Sequence, residues 1–268
     1  MSKSILITGS SSGIGCATAR LFEARAWNVA ASMRKPSGDF SFSPPLDVTD
    51  PKSIKEAVQA TVNKFGGIDV LVNNAGYALE GLFESSSKEQ VVKQFETNLF
   101  GLIEVTREVL PVMRRQKKGI IINVSSMGGR VGFPLYSLYN STKFAVEGFS
   151  EAVHYELEAV GIKVKLIEPG VIKTDFYGRS MDKNEKQYPE DYKDFISRTR
   201  ADLIEGGGKF STPDEVALVI YKAATDGSSK LRYPAGPDAR QLAFLKRFLP
   251  DNAIFHIIRS VTLNNKAR

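Results

Sequence analysis

The sequence is poor in the residues that build cross-links and metal sites: one cysteine, one tryptophan and two histidines in 268 residues. A lone cysteine, Cys16, can form no intramolecular disulfide, and this points to a reducing, cytoplasmic setting. Cys16 sits among Ile14, Ala17 and Ala19 in a helix-like stretch and reads as packing. His154 and His256 have no cysteine or carboxylate neighbours at a ligand spacing, so no metal site is expected. His154 reads as a packing or interface residue. No apolar run approaches the roughly 20 residues that cross a bilayer. The start of the chain runs directly into a strand-like segment, without the charged region and cleavage site of a secretory leader. Charge is also missing from most of the chain. The net charge is +6, but residues 240–268 hold six cations (Arg240, Lys246, Arg247, Arg259, Lys266, Arg268) against Asp251, a net +5, which leaves +1 for the rest. A body so nearly neutral, with no nucleic-acid module, is not expected to bind nucleic acid.

What the chain does have is alternation. Short apolar runs at 4–8, 27–33, 46–48, 68–72, 119–125, 162–168 and 231–233 read as strands. Segments 14–25, 53–65, 88–116, 136–160 and 212–225 have helical spacing, the last opening with the start signal Ser211-Thr212-Pro213. Continuous apolar strands separated by helices imply a doubly wound parallel sheet covered on both faces, a Rossmann-like α/β fold. No repeat or linker divides the chain. The expected organisation is one catalytic domain, 1–239, with a C-terminal helical extension at 240–268.

The chemistry-bearing residues cluster at strand ends. After the first strand comes Thr8-Gly9-Ser10-Ser11-Ser12-Gly13-Ile14-Gly15, then a helix. A glycine turn there aims backbone N–H groups and a helix dipole at one point, which suits a phosphate. The spacing is G-x-x-x-G-x-G rather than G-x-G-x-x-G, and an unliganded tight turn remains open on this signal alone. Tyr139 and Lys143 are four apart at the start of the long helix and share a face. A nearby ammonium is expected to lower a tyrosine's pKa and make it a workable acid or base. Ser125 and Ser126, Asn73-Asn74-Ala75-Gly76 and Glu168-Pro169-Gly170 end further strands at the edge where an open parallel sheet binds ligands.

Taken together these motifs resemble the short-chain dehydrogenase/reductase family, over about residues 3–235. The resemblance implies hydride transfer between a nicotinamide cofactor and a carbonyl/alcohol pair. It places Gly9, Ser11, Ser12, Gly13, Ile14 and Gly15 along the cofactor pyrophosphate and ribose. It sets Asp47 and Val48 at the adenine, and Asn74, Ala75 and Gly76 beneath the adenosine ribose. Pro169, Gly170, Ile172 and Thr174 would anchor the nicotinamide carboxamide. Asn98, in Thr97-Asn98-Leu99-Phe100-Gly101, resembles the asparagine that holds a relay water. Ser126, Tyr139 and Lys143 complete the catalytic set. Segments around Arg34 and 97–101, with the long tail, look most like hydroxysteroid-dehydrogenase-like and retinol-dehydrogenase-like members. One departure stands out: residues 35–45 are too short and too rich in Pro, Ser and Gly for the family's usual crossover helix.

Cofactor choice reads from the end of the second strand. No acid is there to bond the ribose hydroxyls of NAD, and Arg34 follows, where a guanidinium can grip a 2′-phosphate. NADP(H) is therefore the expected cofactor. The lid, 176–210, holds Phe176, Tyr177, Met181, Tyr188, Tyr192, Phe195 and Ile196, which suits an apolar carbonyl or alcohol as well as simple packing. The family implies a homodimer or homotetramer through the helices bearing Asn98 and Tyr139. The basic tail is expected to pack on the body or a subunit, with weak membrane-surface association as the alternative. The rival functions are a non-catalytic NADP(H) sensor, which would be expected to lose the tyrosine or lysine, and a sugar-nucleotide epimerase or dehydratase, which would carry a separate substrate domain.

Overall fold

In the computed structural model, residues 2–172, 181–183, 188–205 and 211–263 are described. Six strands, β1 (Ser4–Thr8), β2 (Asn28–Ser32), β3 (Val70–Asn73), β5 (Gly119–Val124), β6 (Ile162–Pro169) and β8 (Arg232–Ala235), form one sheet. All pairings are parallel, in the order β2-β1-β3-β5-β6-β8. The helices are α1 (Gly13–Ala24), α2 (Pro51–Phe65), α3 (Lys88–Phe95), α4 (Gly101–Gln116), α5 (Ser137–Glu158), α6 (Lys193–Glu205), α7 (Pro213–Thr225), α8 (Pro237–Phe248) and α9 (Asp251–Leu263).

The strand sequences explain the layering. Side chains alternate across a sheet, so a strand apolar at every position must be covered on both sides. Ile5 and Ile7 of β1 pack with Phe22 of α1 and Ile220 of α7. Leu6 between them packs with Val58 of α2 and Val109 of α4. Each such burial contributes about 1.5–3 kcal/mol. Helix ends follow local chemistry. The Asp50 carboxylate accepts from the Lys52 N–H ahead of Pro51, and α2 stops at Gly66 in the left-handed region. Thr212 and Glu215 form a capping box that starts α7, as the Ser211-Thr212-Pro213 signal foretold.

From β1 the chain goes to β2 on one side and then to β3 on the other. That reversal opens a crevice at the carboxyl ends of β1 and β3. The glycine turn and Asn74-Ala75-Gly76 both sit there.

The sequence reading needs three corrections. The third strand expected at 46–48 shrinks to one bridge, Met33 with Pro45. Residues 35–45 replace the missing crossover by lying along the edge of β2: the Ala31 N–H donates to the Phe42 carbonyl, and Leu46 N–H to Met33. Phe40 enters the core and Phe42 sets its ring edge-on to Phe65. Pro44 and Pro45 bring no N–H to a ladder, which limits this segment as a strand. Second, the helical stretch 88–116 contains a π-helical turn at Glu96–Phe100 between α3 and α4. Third, two short strands absent from the sequence reading, β4 (Ala78–Glu80) and β7 (Met181–Lys183), pair in parallel and tie the lid to the segment after β3. An ion pair reinforces that tie, Arg200 Nε to Glu80 Oε1 at 2.6 Å. Tyr188, Phe195 and Ile196 pack with Leu82 and Leu135. Phe176 and Tyr177 lie outside the described residues.

Candidate active site

Four elements converge on Tyr139. It lies in the first turn of α5, after a loop in which Leu135 takes a left-handed backbone (φ +66°) and the Leu135 carbonyl accepts from Gly81 N–H. The Tyr139 hydroxyl is hydrogen-bonded with Ser126. Ser126 is fixed in turn because its Oγ accepts from the Gly128 N–H at 3.0 Å, capping a short 3₁₀ turn beyond β5. Lys143, one turn along α5, is buried and donates to the Val124 carbonyl at 2.9 Å. Its Nζ lies 5.7 Å from the centre of the Tyr139 ring.

Asn98 sits in the π-helical turn, with its side chain fully engaged. Oδ1 accepts from Tyr77 N–H (3.0 Å), and Nδ2 donates to the Tyr77 carbonyl (2.8 Å) and to Thr142 Oγ1 (3.2 Å). Thr142 Oγ1 donates to the Tyr139 carbonyl at 2.7 Å, so Asn98 is coupled to the turn that carries Tyr139.

The glycine turn has the shape of an anion site. Gly9 has φ +72°, and a Cβ there would come within 2.8 Å of Ala75 Cα. A Cβ on Gly15 would collide with the Gly9 carbonyl oxygen. Asn74 Nδ2 donates to the Thr8 and Gly9 carbonyls, and Thr8 Oγ1 accepts from the N–H groups of Asn74 and Ala75. Ser12 caps α1 with extended backbone and no side-chain hydrogen bond, so the first-turn N–H groups have no side-chain cap from it. Ser11 is exposed, and Ser12, Gly13 and Ile14 are half-buried. Their placement fits a pyrophosphate, because the turn at the start of α1 is held tight by Asn74 and Ala75 and has room for no side chain at Gly9 or Gly15.

The remaining cofactor candidates follow the ends of β2, β3 and β6 or open α2. Arg34 is exposed, and Met33 just before it is pinned by its bridge to Pro45. Among the described residues Arg34 forms no ion pair. The Asp47 carboxylate accepts from Thr49 N–H and Oγ1, holding the turn into α2. Val48 is buried against Gly101 of α4. Gly76 lies beside Asn98 Oδ1. Pro169 ends β6, Gly170 N–H donates to the Ala235 carbonyl, and Ile172 bridges to Ser211. Thr174 lies outside the described residues.

The match to known proteins is consistent with this geometry. The family model for short chain dehydrogenases matches residues 3–185. The chain belongs to the short-chain dehydrogenase family. Relatives of this dehydrogenase include an uncharacterized oxidoreductase of Schizosaccharomyces pombe, 45% identical over 71% of the chain and 80% of the relative. A 3-ketodihydrosphingosine reductase of Bacteroides thetaiotaomicron is 36% identical over 95% of the chain and 96% of its own length. A crystal structure of a short-chain dehydrogenase from Streptomyces avermitilis superposes with TM-score 0.83 at 30% identity, covering 98% of this chain and 97% of that one. ElxO with NADP bound superposes with TM-score 0.72 at 30% identity, over 87% and 98%.

One electrostatic expectation is overturned. Burial pushes the Tyr139 phenol up to about 12, and the Ser126 hydrogen bond offsets only part of that. Burial outweighs any lowering from the neighbouring lysine, whose Nζ donates to the Val124 carbonyl. Burial brings Lys143 itself down to about 8, against the opposing pull of Glu147.

The dehydrogenase also uses residues that sequence reasoning passed over. Gln94 is fully buried, accepts from Leu79 N–H and donates to the Tyr77 carbonyl, so Gln94 and Asn98 clamp the same backbone from adjacent turns. Their spacing of four was the available signal. Glu147, one turn beyond Lys143, is buried and paired with Arg232 at 3.0 Å. Asp238, in α8, accepts from Val171 N–H at 2.6 Å and so braces the segment after Pro169 and Gly170. No local pattern links positions 171 and 238.

Proposed function

We propose that this chain is an NADP(H)-dependent oxidoreductase that interconverts apolar ketones or aldehydes with their alcohols. The observation that carries the reading is the Tyr139 hydroxyl, hydrogen-bonded with Ser126 and followed one helical turn on by the buried Lys143. When bound, the nicotinamide supplies or accepts the hydride. The chain supplies the rest. Ser126 and Tyr139 bind the carbonyl oxygen, and Tyr139 passes its proton to it as charge develops. A phenol kept protonated at neutral pH holds the proton that carbonyl reduction consumes. Lys143 holds positive charge beside the nicotinamide ribose, and Asn98, with its side chain committed, offers its main-chain carbonyl to a relay water.

Arg34 favours NADPH by pairing with the 2′-phosphate, in line with the NADP named for ElxO. Pro169, Gly170, Ile172 and Thr174 hold the carboxamide, and Asp47 and Val48 face the adenine. The apolar lid packing around Leu82 and Ile196, with the ketone named for the Bacteroides relative, supports a lipid-derived carbonyl. Exposed Phe100, Phe144 and Tyr155 on and beside α4 and α5 support self-association through those helices. The test is NADPH and NADH oxidation across a panel of apolar carbonyls, in wild type and Arg34→Glu. A charge-assisted hydrogen bond contributes about 1.5–3 kcal/mol, so kcat/KM should favour NADPH about tenfold or more. Arg34→Glu should reverse that preference. A wild-type ratio below one, or a ratio that the variant leaves unchanged, overturns the cofactor assignment.

A further inference from the structure

Among the described residues, α8 and α9 each bury one face and leave the other exposed. Ile254 is buried, and α9 packs against the lid helix α6. The outward face of α8 carries Arg240, Phe244, Arg247 and Phe248, positions that fall on one side of a helix. The outward face of α9 carries Phe255 and Arg259. The three phenylalanines are 64%, 64% and 60% exposed, which is unusual for side chains of that size. Phe244 and Phe248 lie in ring contact at 4.9 Å, with the Arg247 guanidinium beside Phe248. Lys246 is neutralised by Asp251, while Arg240, Arg247 and Arg259 form no ion pair among the described residues.

We infer that this face docks on an anionic lipid surface. Two observations select that occupant. Aromatic rings interleaved with unpaired arginines match a membrane interface, where rings enter the headgroup boundary and cations meet anionic lipid. The charge also disfavours a second copy of the same face, because a two-fold contact would set arginines against arginines within a region of net +5 over residues 240–268. No described helix is long and apolar enough to span a bilayer, so the contact is with the surface. Because α9 packs on α6, docking sets the lid beside the lipid. The inference does not depend on the substrate reading, since it is read without turnover.

The experiment is co-sedimentation of the full chain with vesicles of phosphatidylcholine alone or with phosphatidylserine, at low and high salt. Wild type should pellet with the anionic vesicles and be released by salt. Replacing Arg240, Arg247 and Arg259 by Gln together should weaken partitioning on the order of 100-fold, at about fivefold per charge. Replacing Phe244, Phe248 and Phe255 by Ser should also release the protein, with NADPH binding and circular dichroism unchanged as the check on folding. The inference is overturned if wild type stays in the supernatant or binds neutral vesicles equally well. It is also overturned if the Phe→Ser variant dissociates an oligomer in light scattering without affecting vesicle binding. Loss of carbonyl reduction with vesicle binding intact would count against the proposed function alone.

Discussion

At the scale of single residues, the site is set by burial acting on two titrating groups in opposite directions. The Tyr139 phenol, raised to about 12, stays protonated through the neutral range and is a donor by default. Lys143, brought down to about 8, carries its charge below that pH and loses it above. If the ammonium holds the nicotinamide ribose, NADPH affinity is full below the Lys143 titration and falls as pH rises through about 8. Fluorescence titration of NADPH across that range measures this, and Lys143→Met should flatten the profile. A dissociation constant that is constant through the same window would remove Lys143 from cofactor binding. That Tyr139 and Lys143 share one helix, α5, was legible because a spacing of four is a local property of a helix. The direction expected for the tyrosine was wrong because how deeply the phenol is buried depends on segments that meet only in the folded chain.

At the scale of elements, two junctions carry separate predictions. In the turn from β1 to α1, a methyl on Gly15 meets the Gly9 carbonyl, a backbone atom that can yield only by reshaping the turn. Gly15→Ala should therefore weaken NADPH binding by at least about tenfold, the equivalent of one good hydrogen bond, while Tyr139 and Ser126 remain in place. Unchanged affinity by calorimetry would show that the turn does not hold the cofactor. At the other sheet edge, fully buried Lys165 of β6 donates to Asp226 at 2.7 Å and to the Tyr233 hydroxyl of β8. Burial would raise the Asp226 carboxyl, but hydrogen bonds from Lys165, Tyr233 and Ser228 hold it well below the usual range. A carboxyl depressed in the folded state stabilises above its unfolded pKa, and that stability is lost as pH falls through the folded value. Urea unfolding should thus weaken below about pH 4. Asp226→Asn should cost about 3 kcal/mol near neutrality, because buried Lys165 keeps the Tyr233 hydroxyl but loses its only anionic partner among the described residues. It should also flatten the acid dependence. Stability equal to wild type would contradict the pairing. Strand and helix order could be read from periodicity here, but β4 and β7 could not. Three-residue strands have too little pattern, and their pairing joins positions 78–80 to 181–183.

For the whole molecule, parallel topology gathers distant segments at one sheet edge: the glycine turn after β1, Asn74 after β3, Ser126 after β5 and Gly170 after β6. That convergence was legible because each polar strand end is local and the edge is common to all parallel strands. What was not legible is how the ends are braced. Asp238 reaches back to Val171 and Gln94 clamps residues 77–79, contacts that exist only once the chain is folded. The missing crossover helix illustrates the same limit: its absence was readable from the length of 35–45, whereas its replacement by Phe40 and Phe42 along β2 was not. All these supports surround Tyr139, the proposed proton donor to a bound carbonyl. The direct measurement is single-turnover oxidation of enzyme-bound NADPH by an apolar ketone accepted in the panel, in wild type and Tyr139→Phe, with NADPH affinity measured alongside. The predicted result is a rate lower by about 100-fold to 10,000-fold with cofactor affinity retained. A Tyr139→Phe enzyme that oxidises NADPH at the wild-type rate would contradict the account.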